Sequence, residues 1–382
     1  MTESREHTQA PRLFKDHFDH AMVTDLARRL QVVDPAFPAE AFCAAVIPQL
    51  APLELKGRVA AIAAGLQAHL PPAYPEAITR LLAILGPPHN ESEGMFKDGW
   101  DLMPVAAFVE YYGLEHLDES LAAMHAITQR HTAEFAIRPF LQRYPAATLA
   151  TLQQWVSDPS FHVRRLVSEG TRTRLPWACQ LPALIADPSP VLPLLAALRD
   201  DPTAYVRRSV ANNLNDLAKD HPELVLATLE RWQHGATPER QGLIRHALRT
   251  LIKQGHPAAL RLLGAEPAAV ILETLAVTPT VVTIGSSLTI TVGLRSNAST
   301  PQQLIIDYVL CMPGVRETIR RKVFKLRTQR LEPGATLRLV KRHSFAPVTV
   351  RAIYPGQYRI ELQVNGQIVG DAAFDLVAPN EN

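Results

Sequence analysis

Along roughly the first two thirds of the chain, apolar residues recur every three to four positions; from about Leu275 they recur at every second position. The helical spacing is clear over 22–85, in MVTDLARRL, AFCAAVIPQL, LKGRVAAIAAGLQAHL and EAITRLLAIL, with breaks at Pro35, Pro38, Pro71 and Pro72. Gly86-Pro87-Pro88 opens a polar loop in which Glu91 and Glu93 read as solvated side chains. The spacing resumes in LMPVAAFVEYYG and in LDESLAAMHAITQRHTAEFAIRPFLQRYP. There Asp118 is expected to cap a helix N-terminus, Glu134 to end a helix, and Pro145 to limit a helix end. From Ala146 to about Leu263 the pattern is helix, Asp-Pro turn, helix.

One motif occurs twice in that last stretch. Asp158-Pro159, Val163-Arg164-Arg165 and Glu169 are followed 43 residues later by Asp201-Pro202, Val206-Arg207-Arg208 and Asn212, with Asp216 one turn further on. A period of this length matches HEAT/armadillo repeats, helix pairs that bury their apolar faces only by stacking on neighbours. Arg165 and Glu169 are four apart, as are Arg208, Asn212 and Asp216, so each set is expected on one face of one helix. A third, degenerate copy spans 237–253, with Ile244-Arg245 in place of Val206-Arg207 and His246 where the second arginine stood.

The C-terminal texture differs. TVVTIGSSLTITVGLRSN, QLIIDYVLCM, KVFKLRTQRL, TLRLVKRHSF and GQYRIELQVNGQIVGDAAFDLV are rich in β-branched residues, and turn signals separate them. Asn365-Gly366, between Val364 and Gln367, is the sequence of a two-residue hairpin turn. About seven short strands fit an immunoglobulin-like sandwich. The expected architecture is an all-α HEAT-like repeat solenoid over 1–272 followed by an all-β immunoglobulin-like sandwich over 273–382.

Charge sharpens the picture. The net charge of +2 conceals a segregation: residues 1–137 carry 10 Lys/Arg against 18 Asp/Glu, 138–261 carry 16 against 10, and 274–382 carry 13 against 7. A basic middle and end suggest a polyanion partner. The cysteines Cys43, Cys179 and Cys311 have no metal-ligand spacing and read as reduced thiols. The first twenty residues lack an apolar core for a signal peptide, and no run is long enough to span a bilayer. A cytoplasmic protein acting at the nucleoid, a monomer without a membrane partner, is the expectation.

Phosphate-binding loops, HExxH, zinc-spaced cysteines and nucleophile elbows are absent from the sequence. His17 and His20 lie on a charged segment, so neither a metal nor a cofactor is expected. The arginines suit a phosphate backbone: Arg164, Arg165, Arg172, Arg174, Arg207, Arg208 and Arg245, with Asn212 beside them, are candidate DNA contacts. Trp177, in TRTRLPWA, either fills core or stacks on a base. Near the Pro313-Gly314 turn, Arg316, Arg320, Arg321 and Lys322 either clamp DNA or form a solvated edge that blocks strand aggregation. Glu134, Glu169 and Asp216 are acids among these bases. They are either salt-bridge partners, or converge to stabilise an oxocarbenium-like sugar and position a water.

HTAEFAIRPFLQRYP, FHVRRLVSEGTRTRLPWA and YVRRSVANNLNDLAKDHP resemble the DNA alkylation-repair glycosylases built from HEAT-like repeats, specifically the AlkC branch. The strand-rich end resembles the immunoglobulin-like domain of some members of that branch. The resemblance implies removal of 3-methyladenine and 3-methylcytosine from double-stranded DNA containing alkylated bases, without flipping the base into a pocket. It also implies that Glu134, Glu169 and Asp216 are the acidic site residues, with Trp177 in a DNA-facing loop. Asp216 is expected to carry the main electrostatic and water-positioning role, supported by Glu169 and Glu134. The competing readings are a non-catalytic scaffold for an acidic protein and a damage sensor that binds DNA without excision.

Overall fold

The structure is a computed structural model and describes residues 13–90, 99–314, 318–346 and 353–379. Glu91, Glu93 and Arg316 lie outside the described residues. Helices come first: α1 His20–Val33, α2 Ala39–Leu50, α3 Leu55–His69, α4 Tyr74–Ala83, α5 Met103–Tyr112, α6 Leu117–Thr128, α7 Ile137–Arg143 and α8 Pro145–Trp155. They continue with α9 Phe161–Gly170, α10 Pro182–Ala186, α11 Leu192–Leu198, α12 Ala204–Leu217, α13 Pro222–Gln233, α14 Pro238–Ala247, α15 Arg249–Lys253 and α16 Pro257–Leu262. No helix among the described residues is long and apolar enough to cross a membrane.

Prolines start these helices more often than they stop them. Pro145, Pro182, Pro222 and Pro257 each occupy the first position of a helix, where the missing N–H has no intrahelical acceptor to lose. Pro145 both limits the end of α7, which stops at Arg143, and opens α8. Asp118 is likewise inside the first turn of α6, whose cap is His116. The Asp-Pro turns work through the aspartate: Asp158 Oδ1 accepts from Ser160 N at 2.8 Å and Asp201 Oδ1 from Thr203 N at 2.8 Å, shaping the entries to α9 and α12.

The chain folds as two compact units, Met1–Asp220 with Thr237–Ala247, and His221–Ala236 with Leu248–Asn382. In the first unit α9 packs on α12, and α12 on α14. Buried Val163, Leu166, Val167, Val206, Val210, Leu214 and Ile244 line these contacts. Gly170, the last residue of α9, has no room for a side chain, because a Cβ there would lie 2.6 Å from Ile137 Cγ2 on α7.

The second unit carries α13, α15, α16 and eight strands: β1 Val270–Thr278, β2 Val281–Thr283, β3 Ser287–Ser296, β4 Gln302–Pro313, β5 Ile319–Leu331, β6 Thr336–Ser344, β7 Gly356–Val364 and β8 Gln367–Val377. They form a three-stranded sheet, β1-β3-β6, and a five-stranded sheet, β2-β8-β7-β4-β5. All pairs are antiparallel except β2 with β8. Ile290, Leu294, Ile306, Tyr308, Ile360, Leu362 and Phe374 are among the residues of the shared core, so the alternation read from the sequence is a sandwich.

Asn365 and Gly366 close β7 onto β8 with φ of 44° and 81°, the positive values that the two-residue turn requires. Asn365 does more than turn the chain. Its side chain accepts from Ile305 N at 2.7 Å and donates to Glu266 O at 2.6 Å and Gln303 O at 2.9 Å, tying the hairpin tip to the segment after α16.

Candidate active site

The second arginine of the first Val-Arg-Arg points inward from α9. Arg165 Nη1 donates to Glu134 Oε2 at 2.7 Å, and its Nη2 lies 3.5 Å from Glu169 Oε1 one turn along the same helix. Its guanidinium lies over the ring of Tyr205, 5.0 Å from the centroid. Glu169 Oε1 also accepts from Arg172 Nη1 at 2.7 Å, while Oε2 accepts from Ser209 Oγ on α12 at 2.6 Å. Arg172 Nε reaches across to Asp216 Oδ2 at 2.8 Å. The other oxygen of Asp216, Oδ1, accepts from Lys219 Nζ at 3.0 Å.

The result is one continuous chain of alternating charge: Glu134, Arg165, Glu169, Arg172, Asp216. Each of the five is 8% exposed or less. These five ions, so far from water, are held because each has an opposite neighbour. Burial alone pushes the Glu169 carboxyl up, but Arg165 and Arg172 together with the Ser209 hydroxyl hold it below the usual carboxylate range. Burial works against the Arg165 cation too, yet Glu134 and Glu169 raise its pKa above the ordinary arginine value.

Glu134 does not end a helix. It sits in the turn between α6 and α7, where its N–H donates to Thr132 Oγ1 at 3.1 Å and its carboxylate accepts from the same hydroxyl at 2.9 Å. The chain passes there in a non-helical turn, which lets the carboxylate reach Arg165. The salt-bridge reading of the three acids is thus realised: the bridges join Glu134, Glu169 and Asp216 into one connected chain.

Beyond α9 the loop to α10 is folded around Arg138, a fully buried arginine on α7 whose hydrogen-bond acceptors here are main-chain carbonyls. Nη1 donates to Gly170 O at 3.1 Å and Arg172 O at 2.7 Å; Nε donates to Cys179 O at 2.9 Å, as does Nη2. Trp177 projects from this loop, 51% exposed and with φ of 65°, so it does not fill core. Its carbonyl accepts from Lys56 Nζ, and its ring meets Phe14 edge-on at 6.1 Å. Phe14 in turn stacks on Trp100 at 5.3 Å, as His17 does at 4.8 Å.

The remaining candidates are scattered in their roles. Arg164 donates to Asp201 Oδ2 at 2.6 Å and to the carbonyls of Asp158 and Pro159 at 2.8 and 3.1 Å. Arg207 repeats the carbonyl contacts one repeat later, on Asp201 and on Pro202 at 2.9 Å. Both guanidiniums are spent on Asp-Pro turns. Arg174 forms a fork with Asp220 at 2.7 and 3.0 Å. Arg208 and Arg245 are exposed, and Asn212 Oδ1 lies 2.9 Å from His246 Nε2. Along α12 the face drifts inward, from exposed Arg208 through half-buried Asn212 to buried Asp216.

On β5 of the sandwich, Arg320, Arg321 and Lys322 are exposed. Arg321 pairs with Glu361 at 2.6 Å, and the Lys322 ammonium lies 4.9 Å from the Phe324 ring centroid. Among the described residues no group of three or more His, Cys, Asp or Glu is arranged to hold a metal ion.

Sequence reading missed Arg138, Ser209, Tyr205, Thr132, Lys56 and Lys219 as parts of this site. Only Lys219 carried a usable local signal, three residues after Asp216 in the turn that follows α12. Glu110 was also missed. It lines a cavity of about 40 Å³ with Lys56, Tyr111, Thr132 and Phe135, and burial there raises its pKa against the pull of Lys56 and Arg138.

Residues 125–251, which contain the whole ion-pair chain, match the family model described as DNA alkylation repair enzyme. Residues 271–378 match a model of the C-terminal Ig-like domain of the uncharacterised protein YhaZ. The chain is 35% identical to protein YhaZ of Bacillus subtilis (strain 168), over 95% of this chain and 99% of that one. Among solved structures it is similar to the Pseudomonas fluorescens alkylpurine DNA glycosylase AlkC bound to DNA containing an abasic site analog. That similarity has a TM-score of 0.89 and 37% identity, and covers 96% of this chain and 100% of the other.

Proposed function

The chain belongs to the AlkC-type family of DNA alkylation-repair glycosylases, HEAT-like repeats with a C-terminal immunoglobulin-like domain, and from that membership we propose its reaction. It hydrolyses the N-glycosidic bond of cationic N3-alkylated bases, 3-methyladenine and 3-methylcytosine, in duplex DNA. The observation that carries this reading is the buried run of alternating charge ending at Asp216.

An N3-methylated base is already positive, so it takes the bonding electron pair from C1′ and departs neutral without a general acid. What needs stabilising is positive charge on the deoxyribose. Asp216 lies near the place where that charge develops, with one oxygen fixed by Arg172, whose position is set by Glu169. A carboxylate held in advance stabilises the cation without reorganising and orients the water that adds to C1′. Glu169 and Glu134 support it by keeping the two guanidiniums in place.

The cavity beside Thr132 measures about 40 Å³, far below the roughly 300 Å³ at which ligand pockets begin. That cavity is too small to take a base, and the reading keeps the lesion at the surface, as the family resemblance implies. Trp177, exposed and held by a fixed loop, stacks against the damaged nucleotide. Arg208 and Arg245 contact backbone phosphates, as do Arg320 and Lys322 of the sandwich.

The test is single-turnover release of 3-methyladenine from duplex DNA by the wild type and by Asp216→Asn. The variant should lose roughly 10²–10³-fold in rate, as when one preorganised stabilising group is removed, while still binding the duplex. Near-normal release by Asp216→Asn would reject the assignment.

A further inference from the structure

Three carboxylates and two guanidiniums make up the buried ion-pair chain, so it holds one more negative charge than positive. The surplus falls at its outer end, on Asp216 Oδ1. In the free protein that oxygen is covered by the ammonium of Lys219, at 3.0 Å. The two cations on Asp216 differ in their freedom. Arg172 is 9% exposed in its side chain and anchored at its other end by Glu169, whereas the Lys219 side chain is 40% exposed. Lys219 lies in the turn just past α12, where a four-carbon stem allows the ammonium to swing into water.

We propose that Lys219 is a stand-in for the substrate's positive charge, a counterion that yields Asp216 Oδ1 when a cationic lesion arrives. This rests on the functional reading above and adds a specificity-determining residue to it. A cationic base and sugar restore the neutrality of the cluster as Lys219 leaves. A neutral base cannot, because displacing the ammonium would leave a buried carboxylate one charge short. Undamaged DNA then meets Asp216 with its outer oxygen occupied, and only a positive ligand competes for it. Lys219 acts by leaving, which distinguishes it from Arg172.

The experiment measures affinity for two duplexes, one with a cationic pyrrolidine in place of the sugar and one with the neutral tetrahydrofuran. Wild type, Lys219→Met and Lys219→Arg are compared, with single-turnover release of 3-methyladenine measured alongside. The expected result is a preference for the cationic analogue that rises about fivefold in Lys219→Met, the scale of one partly exposed ion pair. Lys219→Arg should return the preference to near the wild-type value. An unchanged preference in Lys219→Met would overturn the proposal, as would a tenfold or greater loss of release, because Lys219 would then assist the reaction rather than yield to it. If the wild type itself neither releases the base nor distinguishes the analogues, the functional reading falls and takes this inference with it.

Discussion

The two copies of the Asp-Pro and Val-Arg-Arg motif use their first arginine alike and their second differently. Arg164 and Arg207 both turn back onto the carbonyls of their own Asp-Pro turn. Arg165 is buried between two glutamates, while Arg208 faces solvent. The reason lies four residues on: the first copy has Glu169, the second has neutral Asn212. The second copy keeps its acid one turn later, at Asp216, where Arg172 reaches it from the first. What repeats is architecture; the site arises where the repeat is broken, and it belongs to two repeats jointly.

The widest gap should open between the second arginines. Arg165→Met leaves Glu134 and Glu169 buried without their shared cation and is expected to cost about 3–5 kcal/mol. Arg208→Met should stay within about 0.5 kcal/mol. Urea denaturation of both variants checks this, and similar midpoints would erase the distinction. The first arginines should fall between. Arg207→Ala loses hydrogen bonds to two carbonyls, about 1–2 kcal/mol, and Arg164→Ala more, because buried Asp201 also loses its ion-pair partner. A larger loss at Arg207 than at Arg164 would contradict the turn-capping account.

Acid sharpens the comparison on the carboxylate side. The folded Glu169 pKa is lowered, so the group binds fewer protons folded than unfolded. Its contribution is present above the ordinary value of 4.5 and is lost as pH falls below it toward the folded value. The stability difference between wild type and Glu169→Gln should therefore shrink on acidification below 4.5, and a difference constant from neutrality to pH 3 would refute the depressed pKa. The smallest effect on the fold belongs to the exposed cations. Arg208 and Arg245, or Arg320 and Lys322, replaced in pairs by Ser, should leave stability unchanged. Each pair should reduce the slope of log affinity for DNA against log salt by about two. A pair that leaves the slope as it was makes no phosphate contact.

The helical and strand periods, the Asn365-Gly366 hairpin and the i,i+4 pairing of Arg165 with Glu169 were all visible in the residues, because each depends on spacing of a few positions. What spacing could not reveal was which arginine faces which way. Arg164 and Arg165 are adjacent and chemically identical, and only the packed turn and helix give one to the carbonyls of an Asp-Pro turn and the Asp201 carboxylate, and the other to Glu134 and Glu169. Glu134 read as helical because apolar residues flank it on both sides; the Thr132 hydroxyl, which bonds both its N–H and its carboxylate, stabilises a turn there instead. Arg138 follows Ile137 as Arg164 follows Val163, and nothing in that local pattern sets it apart from the repeat arginines. Its acceptors, more than thirty residues away, exist only once the loop has folded.

Those acceptors have a consequence for how the molecule can change over generations. Arg138 grips the loop after α9 by its main chain, at Gly170, Arg172 and Cys179. Peptide carbonyls are the same whatever side chain they accompany. The mount is thus indifferent to most of what it carries, and the tip at Trp177 can be exchanged for other residues without dismantling the base beneath it. On the proposed function, a new preference for lesions could be sampled there one substitution at a time, with the carboxylates and their guanidiniums left untouched.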